Sequence, residues 1–167
     1  MKVKFTTSKG NMVAELFKDA TPKTVANFTK LISEGFYDSM KFHRVIPNFM
    51  VQGGCPLGTG MGGSTNKIMC EHQVANFSSQ QHDRGTLSMA HAGPNTGSSQ
   101  FFICHNRQGT QHLDGVHTAF MSIKNNNKYR QGKSKNQLRA SYIGAAFSIG
   151  GILLLGIIYC LHLVFFN

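Results

Sequence analysis

Apolar and polar residues alternate over residues 2–7 and again over 11–17, on either side of Ser8-Lys9-Gly10-Asn11. Side chains along a strand point to opposite faces in turn, so this pattern predicts a β-hairpin. The period then changes. Thr21-Pro22 offers an N-cap and a first-turn proline, Val25, Phe28, Leu31 and Ile32 follow at helical spacing, and Gly35 ends the run. Phe36 to Val51 is rich in strand formers, and Gly53 to Ser64 is a loop too dense in glycine to be a core element. Further strands are expected near Ile68-Met69, Thr86–Met89, Gln100–Cys104 and His117–Phe120. Many short strands with one early helix predict a mainly β domain, either sandwich or barrel.

Beyond Phe120 the character changes. Residues 122–140 are polar and basic, with Asn125-Asn126-Asn127 at their centre, and read as a linker. Ile143 to Phe166 then holds no Asp, Glu, Lys or Arg, and about 20 such residues suffice to cross a bilayer. Three segments follow from this: a domain over 1–121, the linker 122–140 and a transmembrane helix over 141–166. The net charge of +10 invites a nucleic-acid reading. Its distribution argues against that. Every acid lies at or before Asp114, while Lys124, Lys128, Arg130, Lys133, Lys135 and Arg139 stand just ahead of the apolar run. That is the pattern of a membrane flank, and the positive-inside rule makes the chain a single-pass, tail-anchored protein whose domain faces the cytoplasm. Cys55, Cys70, Cys104 and Cys160 form no CxxC pair, and Met1–Thr6 contains no signal-peptide core, so reduced thiols are expected. The eight histidines are scattered without ligand spacing, which predicts no metal.

Two stretches carry the candidate chemistry. One is Phe42-His43-Arg44-Val45-Ile46-Pro47-Asn48-Phe49-Met50-Val51-Gln52-Gly53-Gly54, which reads as two short strands about a turn at Pro47-Asn48. If Phe49 faces one side, Val51 shares it while Met50 and Gln52 share the other. The second runs from Ser88-Met89-Ala90-His91-Ala92-Gly93-Pro94-Asn95 to Gln100-Phe101-Phe102-Ile103, a loop of small residues before an aromatic strand. Together they resemble the cyclophilin family of peptidyl-prolyl cis-trans isomerases, over about residues 1–120.

The resemblance implies an eight-stranded antiparallel barrel capped by two helices, acting on X–Pro bonds without a cofactor. It implies that Arg44 is the catalytic arginine, aimed at the prolyl nitrogen, with Gln52 orienting it and His117 at the pocket edge. Phe49, Met50, Phe102 and Leu113 would form the apolar cup for the proline ring, and Gly60 and Gln100 its polar rim. Ala90, His91 and Ala92 would pair with the substrate backbone, His91 standing where the family commonly has Asn. His112 occupies a position where many members carry Trp, which implies weaker binding of cyclosporin-type inhibitors, since an indole N–H donor is lost. The glycine loop lacks Gly-Lys-Ser/Thr, so phosphate binding is not implied.

The likeness stops after Phe120. Family members continue with a second capping helix and a strand that closes the barrel beside the first, and neither is visible here. The expected architecture is therefore a cyclophilin-like domain lacking those two elements, followed by the membrane helix. Its partners would be proline-containing peptides and proteins and a membrane, not nucleic acid. Two other outcomes are compatible with the chain: a proline-peptide binding module or chaperone without turnover, and a truncated, poorly folded variant.

Overall fold

The structure is a computed structural model, and it describes residues 1–72, 80–124 and, as backbone, 161–166. The first hairpin forms as the alternation predicts, β1 (Lys2–Thr7) pairing with β2 (Gly10–Leu16) so that Thr7 faces Gly10 across the turn. Gly10 has φ +125°, a value that side-chain-bearing residues avoid. Val3, Phe5, Ala14 and Leu16 are the buried members of the alternating pattern.

Helix α1 (Pro22–Ser33) buries Val25, Phe28, Leu31 and Ile32, the face its spacing predicts. Its cap differs. Thr21 makes no side-chain capping bond, and its hydroxyl donates instead to the Phe17 carbonyl. The first-turn amides of Lys23 and Thr24 donate to the carboxylate of Glu71, which is itself buried. An anion at this helix end satisfies orphan donors and meets the positive end of the dipole. The correction to the Thr21 cap is thus a contact across 47 residues, invisible to local pattern.

Strands β3 (Arg44–Ile46), β4 (Met50–Gly53), β5 (Thr86–Met89), β6 (Phe101–Cys104) and β7 (Ala119–Ile123) complete the first seven. A short helix α2 (Arg107–Thr110) and a 3₁₀ turn (Gln111–Leu113) intervene between β6 and β7. The expected strand at Ile68-Met69 reduces to one isolated bridge, from the Ile68 amide to the Gly97 carbonyl.

The larger correction concerns the end of the chain. Leu161–Phe166 forms β8, antiparallel to β1 with Lys2 opposite Phe166 and Thr7 opposite Leu161. The closing strand expected to be missing is therefore supplied by the last residues of the stretch read as a membrane helix. A short uncharged apolar run is compatible with either element, and period alone does not separate them. Val164, Phe165 and Phe166 are good strand formers. Among the described residues no helix is long and apolar enough to cross a membrane. Residues 141–160, the rest of the predicted span, lie outside the described residues. So do most of the linker and the stretch in which the family's second capping helix would fall.

The eight strands form one antiparallel sheet in the order β3-β4-β6-β5-β7-β2-β1-β8, a half-barrel with β3 and β8 at its ends. Its core is aromatic. Phe28 packs edge-on to Phe101 and Phe120, and Phe5 meets Phe101 at 6.1 Å. Tyr37, fully enclosed among them, donates its hydroxyl to the Ser99 carbonyl at 3.0 Å, and burial pushes its pKa well up.

Candidate functional site

Alternation along β6 builds two faces at once. Phe101 and Ile103 belong to the main core, while Phe102 and Cys104 belong to a second apolar cluster with Met50 and Leu113. β4 follows the same rule, since Val51 packs on the main core and Met50 on the second cluster. Phe49 does not share a face with Val51 as the sequence suggests. It lies in the turn before β4 begins, where strand alternation does not apply, and packs on the second cluster. That turn falls at Pro47-Asn48 as expected, with Phe49 N–H on the Ile46 carbonyl and Asn48 at φ +60°. The Asn48 amide donates to His105 Nδ1 at 2.8 Å, which ties the turn to the end of β6.

Above the second cluster is an open cavity of about 250 Å³ lined by Arg44, Phe49, Met50, Gln52, Ala90, His91, Phe102, Leu113 and His117. Nine of the thirteen residues singled out in the sequence therefore meet at one place. The others serve it from outside. Gln100 donates through Nε2 to the carbonyls of Gly60 and Gly62, leaving its oxygen to accept from Gln52 Nε2 at 2.8 Å. That turns Gln52 Oε1 toward Arg44, whose Nη1 lies 3.5 Å away. Arg44 and Gln52 are direct cross-strand partners, so the sheet itself sets their spacing. Gln100 and Gly60 thus hold the arginine's partner in place. The glycine loop is in turn wrapped around Cys55, whose buried sulfur accepts the amides of Gly60 and Gly62.

His112 does not line the cavity; its ring stacks on Phe49 at 5.7 Å. Ala92 lies outside it too, and the amides of Ala90 and Ala92 already donate to the Gln100 carbonyl and to Thr96 Oγ1. His117 stands edge-on to Phe102 and donates Nδ1–H to the Met89 carbonyl at 3.0 Å. Burial lowers its pKa, with His91, His82 and His72 adding to the effect against the Met89 bond.

The sequence reading missed what lies behind Phe102. His82 is wholly buried, stacks on that ring at 5.9 Å, and bridges two polar groups. Its Nδ1–H donates to Asp114 Oδ1 at 2.9 Å, and Ser88 Oγ–H donates to its Nε2 at 2.9 Å. A Ser-His-Asp order suggests hydrolysis, yet Ser88 has no accessible surface and no substrate carbonyl can reach it. The network braces the cavity wall. Asp114 sits one residue after Leu113 and also binds Arg107.

Burial works against ionisation of Asp114, but hydrogen bonds from Arg107 and His82 prevail and hold its pKa at about 2. An unfolded aspartate titrates near 3.9. A depressed carboxylate stabilises the fold above its unfolded pKa and loses that contribution as pH falls through the folded value. Between pH 4 and pH 2, wild-type protein should therefore lose about 1–2 kcal/mol more stability than Asp114→Asn, after discounting for solvent screening. Denaturant melts at the two pH values measure the difference.

Comparison with known proteins places this geometry. The family model for cyclophilin type peptidyl-prolyl cis-trans isomerase/CLD matches residues 2–129. A peptidyl-prolyl cis-trans isomerase of Synechococcus elongatus is 59% identical over 114 residues, covering 68% of this chain and 74% of that protein. Peptidyl-prolyl cis-trans isomerase B of Bacillus subtilis is 48% identical over 135 residues, 80% of this chain and 91% of the relative. A crystal structure of a Cryptosporidium parvum cyclophilin type isomerase, determined in the presence of the dipeptide Ala-Pro, superposes with a TM-score of 0.68 at 32% identity, covering 84% of each chain.

Proposed function

The chain belongs to the cyclophilin type peptidyl-prolyl cis-trans isomerases, and on that premise we propose that the cavity takes an X–Pro segment and that Arg44 drives its isomerisation. The observation that carries this is the convergence of Arg44 and Gln52 over an apolar floor of Met50, Phe102 and Leu113. The floor is apolar, as the partner of a pyrrolidine ring must be, and Arg44 lines the same cavity. Rotation about X–Pro is slow because amide resonance gives the C–N bond double-bond character, with a barrier of about 20 kcal/mol. A donor to the prolyl nitrogen competes for the lone pair that sustains resonance. Its interaction therefore grows as the bond twists, which is the requirement for raising turnover.

His117 closes the edge of the cup, and the Ala-Pro dipeptide named with the Cryptosporidium structure supports the substrate class. A binding module without turnover would not need the Gln100–Gln52–Arg44 relay. The stack of His112 on Phe49 supports reduced affinity for cyclosporin-type cyclic peptides, because that site offers imidazole in place of indole. Exchange spectroscopy on a blocked Ala-Pro peptide tests the reading. Cis and trans signals should exchange faster with the full chain added, and no acceleration at saturating protein would sink it.

For the tail, two readings exclude each other. The uncharged run behind six basic residues supports a membrane anchor with the domain in the cytoplasm. A single crossing would carry residue 161 about 30 Å away, to the far side of the bilayer, whereas β8 pairs with β1 in the domain. We propose accordingly that an anchored form exists only where β8 has left β1. Carbonate extraction of membranes from expressing cells should retain an anchored chain in the pellet and release one whose β8 is docked. Deleting residues 161–167 should lower the melting temperature only in the docked case.

A further inference from the structure

Part of the cavity lining is a pair of stacked imidazoles. The rings of His91 and His117 lie 4.1 Å apart at 25°. His91 donates Nε2–H to the Val116 carbonyl at 3.0 Å and accepts the Gly93 amide on Nδ1 at 3.3 Å. His117 donates Nδ1–H to the Met89 carbonyl at 3.0 Å. Carbonyls only accept, and the Gly93 N–H only donates, so these partners select the neutral Nε2–H tautomer of His91 and place the His117 proton on Nδ1. A proton added to His91 Nδ1 would point at an N–H and break that bond. A charge on each ring would set two cations face to face.

Among the described residues no carboxylate pairs with either ring. Asp114, on the segment that carries His117, is engaged by Arg107 and His82, and Glu71 caps α1. The remaining groups around the pair are cationic or can become so: Arg44 across the cavity, His82 behind Phe102, His112 on Phe49, and His72. His72 is close enough to His91 and His117 for their charges to oppose one another.

We propose that His91 is a positioning residue for His117, and that the stacked pair makes capture of a proline peptide proton-sensitive, the neutral pair binding and the charged pair releasing. The proposal rests on the isomerase reading of the cavity. It follows from the stack, the fixed tautomers and the lack, among the described residues, of an acid paired with either ring, all in the lining of the cavity. Desolvation by a bound peptide would penalise charge on either ring further.

The test uses the full chain and an uncharged, terminally blocked Ala-Pro peptide. Affinity is measured from pH 7.5 to 5.0 for wild type and His91→Asn, each relative to its own value at pH 7.5. A thermal melt at each pH restricts the comparison to folded protein. Between pH 7.5 and pH 5.0 affinity should fall further in wild type than in His91→Asn, because the variant has one fewer proton for the peptide to exclude. An equal fall in both proteins overturns the proposal. A second readout needs no peptide. Imidazole ¹⁵N shifts should report Nε2–H on His91 and Nδ1–H on His117, and His117 should titrate at higher pH in His91→Asn. The opposite tautomers, or an unmoved His117 titration, overturn the pairing whatever the protein does to proline. Coupled titration without any peptide binding at pH 7.5 would instead overturn the isomerase reading, and the capture half of the proposal with it.

Discussion

Arg44→Ala should lower turnover of a saturating proline peptide by about a hundredfold or more, while changing its Kd by less than about threefold. Arg44 is exposed on β3 and sits at the rim of the cavity, so its removal leaves the apolar floor intact. Its contact with Gln52 is long, at 3.5 Å, which leaves the guanidinium free to turn its donors toward a bound prolyl nitrogen. A group that acts on a lone pair freed only in the twisted state contributes little to ground-state binding. Equal losses in turnover and affinity would show that Arg44 binds substrate uniformly and has no special hold on the transition state.

Phe102→Ala should cost about 3–5 kcal/mol of stability and weaken peptide affinity as well. The resemblance puts Phe102 in the proline cup, and the side chain both lines the cavity and belongs to a buried cluster. The side chain is buried in the second apolar cluster, faces His117 edge-on and covers the stacked ring of His82. Truncation opens a void beside a buried imidazole whose partners, Asp114 and Ser88, are fixed. Denaturant melts and peptide titration of the same folded variant separate the two effects. A stability loss with unchanged affinity would remove Phe102 from the proline cup.

What could be read from the chain was local. The first hairpin, the buried face of α1 and the Pro47-Asn48 turn each depend on residues within a few positions of one another, and each forms as written. The cavity residues were legible through the family resemblance that two motifs carry. Four features were not legible, each for a physical reason. The cap on α1 comes from Glu71, and the brace behind Phe102 joins His82 to Asp114 across 32 residues; no pattern within a window encodes such pairs. The motif that suggested a rim position for Gln100 did not show that its amide bonds the glycine-loop carbonyls and Gln52. The last strand failed differently. Leu161–Phe166 continues an uncharged run, so its own short strand signal was absorbed into a longer helical one.

The central claim is that a directional donor beside the prolyl nitrogen, and not positive charge alone, speeds the rotation. Arg44→Lys tests it most directly, since lysine keeps the charge but lacks the planar, directional fork. Exchange spectroscopy with peptide saturating measures the cis–trans rate on the protein itself. The account predicts that Arg44→Lys falls at least about tenfold below wild type, at nearly unchanged Kd. A lysine variant exchanging within about twofold of wild type would contradict it.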